Sequence, residues 1–213
     1  IIESLHHNLK LSKVCFVSTD KACSPVNIYG MCKAASECLM IEKAKYLPNI
    51  KFVTVRYGNV LNSRGSIIPK LHEIGKDKQY KKYMITDDRM TRFVMTLDQS
   101  VELIQHAFEY GESGDVVIPK LISCKIIDLI EIFSEKYDKP IERGELRPGE
   151  KLLESLINET QSMRLIRGKD GYMFIKPPYK NIMVENDVKD YNSTLNPLSK
   201  ADLKQYLLEL NLL

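Results

Sequence analysis

The chain has 213 residues, enough for one large domain or two small ones, and its 44% hydrophobic and 28% charged residues exclude a disordered chain. Its net charge of +3, from 31 Lys and Arg against 28 Asp and Glu, is too balanced to indicate a nucleic-acid-binding protein. No apolar run approaches the roughly 18 residues that a membrane span needs.

The first 57 residues alternate between helical and strand patterns. Residues 1–9 predict the end of an amphipathic helix, 14–18 a short buried strand, 28–46 a helix that Pro48 ends, and 52–57 a second apolar strand. This alternation predicts a parallel sheet with helices packed on it, which is an α/β fold. The face of the long helix that we expect to be buried carries Met31, Ala35, Cys38 and Leu39.

The pattern is looser after this point, and we expect a domain change within residues 60–80, with some later segments returning to the sheet. Leu97, Val101, Ile104 and Phe108 recur every three or four positions, which predicts a helix. The elements predicted from here to the end are helices over 66–75, 97–110 and 126–137, a strand or helix over 152–156, strands over 116–118 and 172–176, and a last helix that Ser199 opens.

The cysteines indicate a reducing compartment and therefore a cytoplasmic protein. Their number, five, is odd, and they lack the spacing of a metal site, so we expect buried free thiols, above all at Cys15, Cys32 and Cys38. The four His form no ligand set, so no metal site is predicted. The chain starts Ile1-Ile2-Glu3, without Met and without the pattern of a signal peptide, so we expect it to begin inside a longer product.

The segment after the first strand carries the candidate chemistry. Thr19, Asp20 and Lys21 follow that strand directly, and ligands of parallel α/β sheets bind beyond the carboxyl ends of the strands. Tyr29 and Lys33 lie four residues apart at a helix start, hence on one face, where an ammonium group favours a phenolate that can take a proton from an alcohol. The alternatives are a helix-surface pair for Tyr29 and Lys33, and a loop-fixing ion pair for Asp20 and Lys21.

The pattern S-T-D-K-A-x-x-P-x-N-x-Y-G-x-x-K over residues 18–33 resembles the active-site segment of extended short-chain dehydrogenase/reductases that act on nucleotide sugars. Lys after Thr-Asp narrows the resemblance to UDP-N-acetylglucosamine 4,6-dehydratases, and Tyr at position 29 favours the inverting type over a subgroup with Met there. Further matching motifs are R-Y-G-N-V (56–60), S-R-G-S-I-I-P (63–69), I-T-D-D-R-M-T-R-F (85–93), V-I-P-K (117–120) and R-P-G-E-K-L-L-E (147–154). Together they cover about residues 10–180.

The resemblance implies the C-terminal part of a Rossmann-like doubly wound parallel sheet plus a smaller mixed α/β substrate-binding domain. Residues 1–62, with part of 63–120, would be the C-terminal half of the NAD(P)-binding domain, and residues 63–213 the sugar-nucleotide-binding domain. The Gly-rich fingerprint with which this family binds NADP is missing, since no three Gly have its spacing. The first half of the nucleotide-binding domain is therefore expected to be absent from this chain, which would leave an unpaired sheet edge and make the chain alone prone to associate.

The resemblance also implies a role for each candidate catalytic residue. Tyr29, assisted by Lys33, would take the proton of the sugar 4-hydroxyl, to which Thr19 would donate a hydrogen bond. Lys21 would remove the C5 proton as a neutral amine, and Asp20 would give its proton to the departing 6-hydroxyl. The cofactor would be NADP, with NAD as an alternative. The residues implied to contact it are Tyr29, Lys33, Tyr57, Asn59 and Val60.

The substrate implied by the resemblance is UDP-N-acetylglucosamine or a related UDP-sugar. Arg92 and Arg147 would hold its diphosphate with Asn59, because guanidinium groups suit phosphate oxygens, and Glu150 would accept a hydrogen bond from the uridine ribose. A surface ion pair is the alternative for each Arg considered alone. Three further residues are expected to bind substrate: Arg64, Ser66 and Thr91.

Two other functions stay open. A truncated, non-enzymatic remnant could bind sugar nucleotides or a protein, which the missing fingerprint favours. A nucleotide-sugar 4-epimerase of the same superfamily ranks lower, because those enzymes lack the Asp-Lys pair after Thr. In the full-length protein the resemblance implies a homo-oligomer that pairs the helix starting near Ile28. The balanced charge argues against a nucleic-acid partner, and the lack of a long apolar run argues against a membrane span.

Overall fold

The computed structural model describes residues 10–184 and 187–213, so the helix predicted for residues 1–9 lies outside the described residues. The strands, in chain order, are β1 (Lys13–Thr19), β2 (Lys51–Tyr57), β3 (Asn59–Val60), β4 (Tyr83–Ile85), β5 (Thr91–Met95), β6 (Val116–Ile118), β7 (Ile122–Lys125), β8 (Ile141–Arg143), β9 (Ser155–Ile157), β10 (Leu165–Arg167), β11 (Met173–Ile175) and β12 (Tyr191–Asn192). The α-helices are α1 (Ile28–Tyr46), α2 (Ile67–Lys76), α3 (Leu97–Tyr110), α4 (Ile126–Tyr137), α5 (Glu159–Ser162) and α6 (Lys200–Glu209).

The chain divides into two compact units. The first comprises the residues up to Tyr57 with 101–120 and 157–190, and the second comprises 58–100, 121–156 and 191–213. The sequence assigned 157–190 to the second domain, whereas in the structure these residues belong to the first unit. The reason is strand pairing, since β11 pairs with β6 and β10 with β11 in one sheet.

The first unit is built on a five-stranded sheet in the order β1-β2-β6-β11-β10, which confirms the α/β fold class. β1, β2 and β6 are parallel, whereas β11 and β10 each run antiparallel to their inner neighbour. Successive side chains of β2 point to opposite faces. Phe52 packs with Met40 and Ala44 of α1, and Val53 packs with Leu103 of α3, so a helix covers each face.

The buried face of α1 differs from the predicted one. Met31 and Leu39 are 53% and 54% exposed, and Ala35 and Cys38 are exposed as well, so the prediction of that stripe was wrong. The residues that α1 buries are Gly30, Glu37, Met40 and Ala44. A prediction from apolar periodicity assigns every carboxylate to the exposed face of a helix. Glu37 instead points to the interior, because it pairs with the buried Arg56.

All five cysteines are free thiols, as predicted, but Cys32 and Cys38 are exposed on α1 rather than buried. We expect these two to react with an aromatic disulfide reagent in the native protein. Cys23 and Cys124 should react only after denaturation, because they are buried and burial raises the pKa of the Cys124 thiol to about 12. Burial also raises the pKa of Cys15 to about 11, which should slow its reaction. Thiol counting before and after denaturant checks this prediction.

The control is a variant with Cys32→Ser and Cys38→Ser, which should lack the rapid phase and keep the delayed one. A rapid phase that persists in this variant would contradict the assignment.

The second unit has its core among three helices. Ile68 of α2, Phe133 of α4, and Leu203 and Leu207 of α6 belong to one buried cluster. Three small sheets accompany it, in the orders β3-β5-β7, β4-β8 and β12-β9. The helices predicted over 66–75 and 126–137 and after Ser199 are therefore confirmed, with Ser199 accepting the Asp202 N–H as the cap. None of the helices described in residues 10–184 and 187–213 is long and apolar enough to cross a membrane.

β1 is the outer strand of the five-stranded sheet among the described residues, and Val17 on it is 38% exposed. An exposed edge strand presents unpaired backbone groups to other chains. We therefore expect the 213-residue chain alone to self-associate, with Val17→Lys reducing the associated fraction in size-exclusion chromatography with light scattering. A monodisperse monomer that melts cooperatively would contradict this prediction.

Candidate active site

A polar turn follows β1 at the carboxyl end of the parallel strands. Asp20 is 0% exposed, and its Oδ1 accepts hydrogen bonds from Thr19 Oγ1 at 2.9 Å and from Lys21 Nζ at 3.0 Å. Its Oδ2 is buried and has no hydrogen-bond partner within the described part of the chain. The ion pair between Asp20 and Lys21 that was the structural alternative is thus present. A buried polar atom without a partner nevertheless calls for a functional explanation.

Tyr29 and Lys33 lie one turn apart near the start of α1. Asn27 caps this helix, because its side chain accepts the Gly30 N–H at 2.9 Å. Lys33 Nζ donates to the Val17 carbonyl at 2.9 Å and lies 6.0 Å from the centre of the Tyr29 ring. The Tyr29 side chain is 54% exposed, so its phenol is open to a ligand.

The start of α1 lies directly against the polar turn. A methyl group on Gly30 would collide with the carbonyl oxygen of Lys21 and press on the Pro25 ring. Only glycine permits this close approach, which sets the residue after Tyr29 against the turn that holds Asp20. The structure thus brings the turn with Thr19, Asp20 and Lys21 together with the helix start that carries Tyr29.

A buried ion pair, which the apolar patterns of the sequence do not predict, lies between α1 and the sheet. Arg56 Nε and Nη2 donate to the two carboxylate oxygens of Glu37 at 2.9 and 2.7 Å. Arg56 Nη1 donates to Gln161 Oε1 at 2.8 Å, and Ser18 Oγ donates to Glu37 at 2.5 Å. Two features of the sequence indicate this ion pair: an arginine inside the apolar strand F-V-T-V-R-Y, and a glutamate four residues after Lys33.

The hydrogen bonds of this pair affect the pKa of Arg56. Burial alone would lower the pKa of the Arg56 guanidinium, but the hydrogen bonds and the charge of Glu37 outweigh burial, and the pKa is raised. Arg56 therefore stays protonated in the interior.

The second unit holds a pocket of about 250 Å³ that contains four of the predicted substrate-binding residues. Asn59 and Arg92 line it together with Arg147 and Glu150. Arg147 and Glu150 belong to one turn, in which the Glu150 carboxylate accepts the Arg147 N–H at 3.2 Å. The other lining residues are mainly apolar: Ile67, Met84, Ile85, Thr86, Met90, Ile126 and Ile130. Charged side chains beside an apolar wall suit a ligand that combines an anionic group with a flat ring.

The remaining predicted residues of this unit lie outside that lining. Thr91 is buried, with its hydroxyl 2.8 Å from the Ser193 hydroxyl, and Arg64 is exposed. Ser66 precedes α2, and its Oγ is buried without a partner among the described residues. Arg92 lines the pocket but already donates to backbone carbonyls, which include that of Lys151 at 2.9 Å. Much of its guanidinium thus supports the pocket wall.

The residues predicted to contact a dinucleotide fit only part of that cofactor. The phenol of Tyr29 and the ammonium of Lys33 suit the hydroxyls of a ribose. Tyr57 ends β2 and packs partly against the core, while Asn59 and Val60 form β3 beside β5. No described segment offers a Gly-rich turn between a strand and a helix for a diphosphate.

Comparison with known proteins gives a consistent family. Residues 2–176 match the family model described as "Polysaccharide biosynthesis protein". The chain is 36% identical over 205 residues to a Campylobacter jejuni protein named UDP-N-acetylglucosamine 4,6-dehydratase (inverting), covering 88% of this chain and 60% of that one. It is also 36% identical over 219 residues to a Rickettsia felis protein named UDP-glucose 4-epimerase, covering 96% and 63%.

A solved structure agrees with the fold. The X-ray structure of Pen from Bacillus thuringiensis superposes with a TM-score of 0.84 at 32% identity, covering 95% of this chain and 64% of that one. The chain therefore spans about 60–64% of the length of these three proteins.

Proposed function

Because the chain belongs to the polysaccharide biosynthesis protein family of short-chain dehydrogenase/reductases, we propose that it carries the catalytic part of a nucleotide-sugar 4,6-dehydratase. The reaction would convert UDP-N-acetylglucosamine to a 4-keto-6-deoxy sugar with inversion at C5. The observation that carries the proposal is the buried Asp20 beside Thr19 and Lys21, with one carboxyl oxygen unpartnered. Removing water requires an additional base for the C5 proton and an additional acid for the 6-hydroxyl, whereas epimerisation at C4 breaks neither of these bonds.

Tyr29 and Lys33 would start the reaction. The exposed Tyr29, as a phenolate that the Lys33 ammonium four residues along α1 stabilises, would take the proton of the sugar 4-hydroxyl and become a neutral phenol. Thr19 holds the same hydroxyl by a hydrogen bond. NADP or NAD, when bound, would supply the hydride acceptor and donor. Tyr29 and Lys33 would hold its ribose, and the family resemblance adds Tyr57, Asn59 and Val60 as further contacts.

Asp20 and Lys21 would remove water. A 4-ketone makes the C5 proton acidic, and the partly exposed Lys21 amine takes that proton once its own proton has passed to the adjacent Asp20, 3.0 Å away. Asp20 then gives its proton to the departing 6-hydroxyl, which leaves as water. Once hydride has returned to C6 from the bound nicotinamide cofactor, a proton added to C5 on the opposite face of the ring would give the inverted 6-deoxy product.

The second unit would hold the nucleotide. Arg147 and Arg92 supply guanidinium groups at the pocket for phosphate oxygens, and Asn59 adds an amide donor. Glu150 can accept a hydrogen bond from a ribose hydroxyl, while the apolar wall with Met84 and Ile85 suits a pyrimidine face. Arg64, Ser66 and Thr91 stay weaker candidates, because none of them lines the pocket.

Mass spectrometry tests the reaction on the protein expressed from its native gene. UDP-N-acetylglucosamine incubated with NADP should yield a product lighter by one water. The relative named as an epimerase supports the second candidate, a UDP-glucose 4-epimerase, whose product has the mass of its substrate. UDP binding without conversion of either sugar would instead identify the non-enzymatic module.

Location and assembly stay predictions. The five free thiols suit the reducing cytoplasm. The predicted homo-oligomer would cover the exposed apolar side chains Ile28, Met31 and Leu39 on α1.

A further inference from the structure

The buried ion pair of Glu37 and Arg56 stands out because the proposed reaction does not use either residue. Glu37 is 5% exposed and Arg56 1% exposed, in the layer between α1 and β2 where Met40 and Phe52 also pack. A buried ion pair is a weak source of stability, since desolvating both charges offsets most of their attraction. Two apolar side chains of similar volume would often serve packing equally well.

The position of Glu37 on α1 couples this pair to the candidate catalytic residues. Tyr29, Lys33 and Glu37 follow at intervals of four residues, so they lie along one strip of the helix surface. The two hydrogen bonds to Arg56 fix the direction of Glu37. They therefore fix the rotation of α1 about its axis, and with it the direction in which Tyr29 points.

The same pair reaches the polar turn from two sides. Ser18, whose hydroxyl donates to Glu37 at 2.5 Å, directly precedes Thr19. On the other side, Gln161 Oε1 accepts from Arg56 at 2.8 Å and lies 3.6 Å from the sulfur of Cys23, which follows the turn. A single network thus contacts both ends of the segment that holds Asp20 and Lys21.

We propose that Glu37 and Arg56 are positioning residues, which set the catalytic helix α1 and the polar turn in one relative orientation. This inference rests on the proposed function, since positioning matters only if Tyr29 and Asp20 act on one substrate. Misplacing a reacting group by about 1 Å can cost on the order of 10²-fold in rate.

The test is the double variant Glu37→Leu with Arg56→Met, which removes both charges and leaves neither unpaired. We expect a cooperatively folded protein whose kcat falls by about 10²-fold, while KM for the UDP-sugar stays within about twofold. The matched control is Glu42→Gln, an exposed glutamate on the same helix, which should change neither constant. If the pair only stabilises the fold, its removal should lower activity and folded fraction together, or change neither.

A second measurement does not depend on turnover. The ¹³C signal of the Tyr29 ring, assigned by its loss in Tyr29→Phe, should move in the double variant and stay in place in Glu42→Gln. If the protein without substitutions shows no dehydratase activity, the proposed function fails. The ¹³C signal then decides by itself whether Glu37 and Arg56 set the orientation of Tyr29. Where the double variant does not fold, Glu37→Gln replaces it, with a smaller fall in kcat and the same shift. An unmoved Tyr29 signal, or an undiminished kcat in the folded double variant, would overturn the inference.

Discussion

Replacing Tyr29 by Phe is expected to lower kcat for the proposed dehydration by about 10²- to 10⁴-fold, the usual contribution of a positioned acid or base. The substitution removes only the phenolic oxygen of a side chain that is 54% exposed, so packing of α1 should not change. UDP affinity should also stay the same, because the proposed phosphate ligands Arg92 and Arg147 lie in the second unit. Steady-state kinetics and UDP titration by calorimetry measure the two quantities separately.

Tyr46→Phe provides the matched control for this prediction. Tyr46 ends the same helix and is 64% exposed, so removing its oxygen should leave kcat within about twofold if exposed tyrosines have no general effect. If Tyr29→Phe keeps more than about a tenth of the kcat, the loss falls well short of the expected range, and a role for this phenol in proton transfer is contradicted.

Replacing Arg56 alone by Met is expected to lower the free energy of unfolding by about 3–5 kcal/mol, because Glu37 would then be a buried carboxylate without its counter-ion. The loss also leaves Gln161 Oε1 without its charged donor. Adding Glu37→Leu should restore most of the lost stability, since the second substitution removes the stranded charge. Urea unfolding of the three proteins gives the values.

The control here is Arg89→Met, which breaks an ion pair with Asp87 at the surface. The Arg89 side chain is 74% exposed, so this change should leave the free energy of unfolding nearly unaltered. Equal losses in Arg56→Met and Arg89→Met would show that the buried pair has no special role in stability.

Several elements were predictable because their signals are local. The helix over 97–110 has its predicted bounds as α3, and the one over 126–137 as α4, because apolar periodicity and flanking glycine or polar residues act within a few turns. The predicted strand over 116–118 is β6. By contrast, the two-residue strands β3 and β12 were missed, since so short a segment has no periodicity of its own.

Exposure was harder to predict than helix position. Leu97 and Val101, part of the apolar pattern of α3, are 66% and 48% exposed, whereas Leu103 and Ala107 are fully buried. Which side of a helix faces the sheet depends on the strands beneath it, and these strands come from other parts of the chain.

The order of residues alone was enough for the α/β class, for the family resemblance and for the candidates Thr19, Asp20, Lys21, Tyr29 and Lys33, because each rests on neighbours in the chain. Folding in three dimensions decided the rest. Gln161 contacts Arg56 although the two residues are 105 positions apart in the chain, and Glu37 points inward against the apolar pattern of its helix. Such choices depend on the balance between desolvation and pairing of groups far apart in the chain, and no local pattern contains that balance.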